Sequence, residues 1–249
     1  MKKALFWMVL PACCAFLHPA EAKVPPEAFG TVSYEIRYQI KSVTTKVASA
    51  TVSLERAVWQ EQPVLHAHAE IRVAPVFRLF MNAEYLADTY LLPDGKEPLY
   101  YMNPIKKGGK PGKFECVYDR SAKTISSVFI QPPAEPVQDS FPLDGRTMDL
   151  LTLLQFVRFL SLPEGRSLSM HVLKAGLSVP AVLSARGRDT ERFPGRVADR
   201  FLLDLPEQGL MENGSGNKIH VWRSGGSERQ LLGLEVDLGP GVMSVALVQ

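Results

Sequence analysis

Apolar and polar residues alternate strictly in the first third of the chain. Val32, Tyr34, Ile36, Tyr38 and Ile40 fall on one side of a segment whose other side is Thr31, Ser33, Glu35, Arg37 and Gln39. An extended chain sends successive side chains to opposite faces, so this pattern predicts a strand with one face on a core and one in water. Ala48, Ala50, Val52 and Leu54 continue the pattern. After a turn at Gln60-Glu61-Gln62-Pro63 it returns as Leu65, Ala67, Ala69, Ile71 and Val73. Short connections favour hairpins over crossovers, so these segments are expected as antiparallel neighbours in sequence order. Phe77, Phe80, Met81 and Leu86 suit either a short helix or a bent strand, and residues 75–92 receive no assignment. Further strands are expected at 98–102, 114–118 and 124–130, the last two joined by the turn-forming Asp119-Arg120-Ser121-Ala122. Residues 131–146 contain five prolines or glycines and read as a loop.

The period then changes. At about 100° per residue, Leu150, Leu153, Leu154, Phe156, Val157 and Leu160 fall within an arc of roughly 160°, which predicts a helix over 147–160. Leu151 and Phe159 lie outside that arc. Thr147 or Asp149 suits the N-cap, Arg158 suits the last turn, and Pro163 with Gly165 ends the run. Strands resume at 168–173, 179–186, 196–205, 219–223, 232–238 and 242–248, with Gly239-Pro240-Gly241 as a hairpin turn. Near a dozen strands, one long helix and no linker rich in Gly, Ser or charge describe a mainly β (α+β) single domain without repeats. A long meander with one apolar face must cover that face. The expected solution is a single curved antiparallel sheet forming an incomplete barrel, with the helix packed in or across its opening.

The first 22 residues stand apart from this pattern. Met1-Lys2-Lys3 is a short basic head, 4–17 is mostly apolar, and Ala20-Glu21-Ala22 places small residues where signal peptidase reads them. The expectation is a signal peptide over 1–22, cut after Ala22, with residues 23–249 as one half-barrel domain in the periplasm. Pro11 interrupts the apolar run, which falls short of the roughly 20 residues that span a bilayer, so a retained anchor is the weaker reading. Leu10-Pro11-Ala12-Cys13 has the outline of a lipoprotein signal, but Pro11 fits that box poorly and apolar Ala15, Phe16 and Leu17 follow the cysteine. A lipid anchor on Cys13 is therefore the lesser alternative. Cleavage removes Cys13 and Cys14 and leaves Cys116, so no intramolecular disulfide is available. A chain of this length can bury enough apolar surface without one.

Composition narrows the partners. Without residues 1–22, Lys plus Arg falls from 28 to 26 and Asp plus Glu from 26 to 25, a net charge of about +1. That balance supplies no broad basic field for nucleic acid. Beyond the signal no apolar run reaches membrane-spanning length.

Candidate chemistry is sparse. Cys116 sits in an alternating segment and reads as a buried thiol rather than a nucleophile. His66 and His68 share the polar side of their strand, but two ligands do not make a metal site, and His171 or His220 would have to arrive from distant strands. Asn213-Gly214-Ser215-Gly216-Asn217 lacks the strand-to-helix setting of a nucleophile elbow. Asp199 with Asp204, and Glu235 with Asp237, read as charges on exposed strand faces. No catalytic residue, metal or cofactor is expected. Lys106, Lys107, Lys110 and Lys113 concentrate charge in one loop, a solvated hairpin tip or a contact for anionic surfaces. Leu150, Leu153, Leu154 and Val157 either fill the core or line a ligand cavity, since a closed small barrel is filled by side chains and an open one keeps a space.

Three segments carry a family resemblance: Gly30-Thr31-Val32-Ser33-Tyr34-Glu35-Ile36-Arg37-Tyr38; Met148-Asp149-Leu150-Leu151-Thr152-Leu153-Leu154 followed by Phe156-Val157-Arg158; and Val221-Trp222-Arg223-Ser224. In these, over most of residues 29–248, the chain resembles bacterial secreted proteins catalogued as domain of unknown function 3108, and more distantly the periplasmic lipoprotein carriers LolA and LolB. The resemblance implies a curved sheet with a helix across its opening and supplies no catalytic residue. The chain departs from the pattern after Trp222, where Gly225, Gly226 and Leu232 replace an expected acidic residue and proline. The leading expectation is a non-enzymatic protein that binds or carries a lipid, acyl chain or lipoprotein in an apolar concavity. An envelope interaction or scaffold module without a small-molecule ligand comes second, and a hydrolase third.

Overall fold

A computed structural model describes residues 24–77, 84–107, 110–143, 145–174, 177–205 and 217–248. Among the described residues, fifteen strands form one sheet. The first eight run in order outward: β1 (Gly30–Ile40), β2 (Val43–Trp59), β3 (Gln62–Val73), β4 (Glu84–Leu91), β5 (Pro98–Lys107), β6 (Lys110–Asp119), β7 (Thr124–Ile130) and β8 (Val137–Pro142). The chain then reaches the opposite edge with β9 (Thr147–Met148) and helix α1 (Leu150–Phe159). It returns inward through β10 (Ser167–Lys174), β11 (Leu177–Asp189), β12 (Ala198–Asp204), β13 (Lys218–Ser224), β14 (Leu231–Asp237) and β15 (Val242–Leu247). β15 pairs antiparallel with β1, so the first and last strands meet in the middle of the sheet. Every pairing is antiparallel except the short β9–β10 contact. Among the described residues no helix is long and apolar enough to cross a membrane.

The sheet is not closed by hydrogen bonds, since β8 and β9 each have one neighbour. It is strongly rolled nonetheless. Laid flat, fifteen strands at about 4.8 Å spacing would be about 65 Å wide. Yet β8 ends at Pro142 and β9 begins at Thr147, five residues later. A fully extended chain covers at most ~3.5 Å per residue, so the two edges approach within about 18 Å where the chain crosses.

The inner face follows the alternation. Tyr34 and Ile36 of β1 oppose Ala50 and Ala48 of β2, and Leu54 and Val52 oppose Ala67 and Ala69 of β3. Small residues facing large ones let a curved face pack without voids. The turn between β2 and β3 needs two left-handed residues, Gln60 at φ 49° and Glu61 at φ 64°, a conformation whose twist matches the hairpin it joins. Gln62 and Pro63 belong to β3 instead.

Two expectations are corrected. Residues 131–146 contain strand β8, not an uninterrupted loop. The helix begins at Leu150, because Thr147 and Met148 pair with His171 and Val172 as β9. Of residues 75–92, the part 84–91 is strand β4, 75–77 is a 3-10 turn, and 78–83, with Phe80 and Met81, lies outside the described residues.

The helix joins both halves of the core. Leu153, Phe156 and Val157 belong to one apolar cluster with Met170, Val172, Leu183, Phe201 and Val221 of the C-terminal strands. Leu151 and Phe159 belong to a second cluster with Leu65, Ala87, Tyr101, Cys116 and Ile125 of the N-terminal strands. Gly95, in the β4–β5 turn at φ 72°, admits this packing: a Cβ there would stand 2.6 Å from the Phe159 ring.

Candidate functional site

The chemistry worth following surrounds the two ends of α1. At its start Asp149 adopts an extended backbone (φ −70°, ψ 169°), and its carboxylate accepts the Thr152 backbone N–H at 2.8 Å and the Thr152 hydroxyl at 2.5 Å. This is an N-cap, which satisfies a donor the first helical turn leaves over. Partners from across the core surround it. The Thr89 hydroxyl of β4 lies 2.9 Å from the Thr152 hydroxyl and donates to the Tyr100 carbonyl, while the Tyr118 hydroxyl of β6 points to Asp149 at the long distance of 3.5 Å. All four side chains are buried. Burial pushes the Asp149 carboxyl from 3.8 up to about 6, against the opposing pull of the Thr152 hydrogen bonds.

At the far end three arginines hold the helix. Arg223 of β13 donates through Nη1 to the carbonyls of Val157 at 2.9 Å, Arg158 at 3.2 Å and Leu160 at 2.6 Å, and through Nη2 to Asp199 at 2.6 Å. Arg229 donates to the Phe159 carbonyl at 3.2 Å. Arg158 reaches back to the Ala28 carbonyl at 2.7 Å and to Gln155 Oε1 at 2.8 Å. The last carbonyls of a helix lack partners of their own and carry its negative dipole end, so guanidinium groups satisfy both needs at once.

Of the four leucine and valine candidates, Leu153 and Val157 are buried in the core. Leu150 and Leu154 pack against that same core while remaining partly exposed. They share this state with inward-facing side chains of the central strands: Val32, Val52, Ile71, Leu234, Met243 and Val245. The lysine candidates sit at the β5–β6 hairpin tip, where Lys106 opposes Pro111 and Lys107 opposes Lys110. The side chains of Lys106, Lys107 and Lys110 lie outside the described residues. Lys113 is drawn away from the tip into an ion pair with Glu115 at 2.8 Å.

On the outer face, His66 and His68 have a shared partner that their own strand does not reveal. Asp88 of β4 opposes His68 in register, and its Oδ1 lies 2.8 Å from His66 Nε2 and 2.9 Å from His68 Nδ1. The Asp88 bond raises the His66 pKa, and the His66 bond lowers that of Asp88. The His66 ring stacks on Tyr90, which stacks in turn on Trp59. Among the described residues no group of three His, Cys, Asp or Glu is arranged to hold a metal ion. Cys116 is fully buried and its thiol is pushed up to about 12, chiefly by that burial. Asp199 binds Arg223, Glu235 pairs with Arg192, and Asp237 accepts the Gly239 N–H, so neither carboxylate pair converges on a common point. The segment 213–216 lies outside the described residues.

The model of the family described as "Protein of unknown function (DUF3108)" matches residues 33–245. No curated protein matches the chain. Among solved structures, the chain is similar to one titled "Crystal Structure of Beta-barrel-like Protein of Domain of Unknown Function DUF1849 from Brucella abortus". The identity is 10% and the TM-score 0.49, over 88% of this chain and 95% of that one.

Proposed function

The chain belongs to this family of unknown function, and from the geometry above we propose that it is a non-enzymatic protein that holds an apolar or amphipathic partner against the inner face of its rolled sheet. The helix lies across the opening, and the partner is a lipid, an acyl chain or a lipoprotein. The observation that carries this reading is the set of inward-facing apolar side chains left partly exposed. Val32, Val52, Ile71, Met243 and Val245 of the central strands, with Leu150 and Leu154 of α1, pack on a filled core but are not closed over by it. Concave apolar surface of this kind is where small apolar ligands bind. The distant resemblance to lipoprotein carriers supports the same partner class. Export by a signal peptide cut after Ala22 would place the protein in the periplasm, where such partners move between membranes. Lipid anchoring through Cys13 remains the lesser form.

A second reading, an envelope interaction module, is favoured by the outer-face stack of Trp59, Tyr90 and His66 beside Tyr100. Aromatic residues are enriched at protein interfaces. Native mass spectrometry and lipidomics on protein purified from its own compartment separate the two. Co-purifying lipid that disappears in Leu150→Gln/Leu154→Gln supports the carrier. An empty protein that arrives with a protein partner overturns it in favour of the second reading.

A further inference from the structure

The two ends of the rolled sheet differ. β1 to β8 alternate in direction, so the β1–β2, β3–β4, β5–β6 and β7–β8 connections share one end, and the pairing of Gln39 with Val242 sets the β14–β15 turn beside them. Helix α1 is anchored at the other end. Its N-cap cluster uses Thr89 and Tyr118 and its C-terminal clamp uses Arg223, each within two residues of the far end of its strand. Nine large apolar residues are exposed among the described residues, and five of them, Ile40, Val43, Val76, Tyr85 and Val137, lie at the end away from the helix anchors.

Four of these five continue the inner face. Ile40 follows Tyr34, Ile36 and Tyr38 along β1 and opposes Val43; Tyr85 opposes Ile71; Val137 opposes Phe129, which opposes Phe114 of the N-terminal apolar cluster. Exposure rises along β1 from 7% at Ile36 to 45% at Ile40, so the apolar lining runs out to the rim. Apolar residues scattered over a surface are ordinary, whereas a set gathered on one rim marks an interaction surface.

The β1 to β6 stretch of this rim is also basic. Lys41 stands at the β1–β2 tip with φ 53°, and Lys106, Lys107 and Lys110 occupy the β5–β6 tip. Among the described residues of these connections the acid is Glu84, at the start of β4. Lys46 and Lys113, farther from the tips, are held by Glu35 and Glu115. Around the rest of the rim the charges are mixed, with Glu135, Asp204 and Asp237 beside Lys174 and Lys218 in the strand ends and turns.

We propose that this rim docks on an anionic phospholipid bilayer. Ile40, Val43 and Val76 enter the headgroup boundary, while Lys41 and the β5–β6 tip supply the positive charge. Apolar side chains gain by leaving water there, and lysines at the same level gain from the negative surface potential. The proposal rests on the carrier reading for its purpose: apolar lining that runs from Leu150 and Leu154 to the rim gives an acyl chain a way inward from the bilayer that avoids water.

The test sediments protein purified from its own compartment with vesicles of equimolar phosphatidylglycerol and phosphatidylcholine, and with phosphatidylcholine alone. Retention is expected on the anionic vesicles and should fall in high salt. Ile40→Ser/Val43→Ser/Val76→Ser and Lys41→Gln/Lys106→Gln/Lys107→Gln/Lys110→Gln should each weaken it by about tenfold or more. Val58→Ser/Val197→Ser, near the opposite end, should leave it unchanged, and circular-dichroism melts should show every variant folded. No retention, equal retention on both vesicles, or retention that either rim variant leaves intact overturns the docking surface, as does a parent that instead dimerises through this rim on gel filtration. Protein that co-purifies with lipid yet is not retained sinks the rim and keeps the carrier. Protein retained on vesicles but empty of lipid does the reverse.

Discussion

Asp149 is a carboxyl group cut off from water, and among the described residues no cation pairs with it. Its neighbours are hydroxyls and backbone amides, which stabilise the charge less than burial opposes it, and its pKa rises from 3.8 to about 6. A raised folded-state pKa means that the native chain holds its proton at a pH where the unfolded chain has lost it. The stability this gives is fully present below about pH 3.8 and is lost as pH rises through about 6, a change of about 3 kcal/mol. Asp149→Asn keeps an oxygen for the Thr152 N–H and is nearly as good an N-cap, but has no charge to desolvate. Its stability relative to the parent should rise between pH 4 and pH 7, as measured by urea unfolding at a series of pH values. Parallel curves for the two proteins would refute the buried-carboxyl account. Part of this site was legible in advance, since Asp149 fits an N-cap before an apolar period. Thr89 and Tyr118, which make it a closed polar cluster, lie 60 and 31 residues away in the chain, and no local pattern announces them.

The helix is held as an element more firmly than its ten residues would hold themselves, for isolated helices of that length are marginal in water. Its apolar arc indicated one buried face. The structure instead puts core on two sides, and this is why Leu151 and Phe159 are as buried as Leu153 although they fall outside the arc. A periodicity argument assumes one wet side, and an element whose side chains enter two apolar clusters does not have one. The clamp at its C-terminus was equally hidden, because Arg223 sits in a strand more than 60 residues on. Arg223→Met would leave three helix carbonyls and Asp199 without their donor, at a cost of about 3–5 kcal/mol. Arg223→Lys should recover only part of that, since a single ammonium cannot span the same acceptors. Thermal melts of the two variants check this, and equal melting of both would remove the fork from the explanation. Strand β8 escaped notice for the opposite reason. Almost all its residues are exposed, so no apolar alternation marks it.

For the whole molecule the decisive contact is the pairing of β1 with β15, strands at opposite ends of the sequence that lie side by side in the centre of the sheet. Alternation revealed most of the strands, though not β4, β8 or β9, but nothing local could reveal this register, in which Ile36 opposes Val245 and Tyr34 opposes Leu247. The consequence is an inverted hierarchy: the chain's last strand is central, and the mid-chain strands β8 and β9 are the edges. Ending the chain at Gly239 removes β15 and with it the ladder partner of both β1 and β14. It leaves two open edges in the middle of the sheet and unpacks the inner face around Tyr34 and Ile36, so no cooperative fold should survive. Changes at the β8 edge should matter far less. Val137 is 61% exposed, and Val137→Ser should fall within about 0.5 kcal/mol of the parent. Circular-dichroism melts and gel filtration of the two proteins decide the matter. A truncated chain that melts cooperatively at the parent's temperature would show that the two halves of the sheet fold as separate units, and that the β1–β15 seam only docks them.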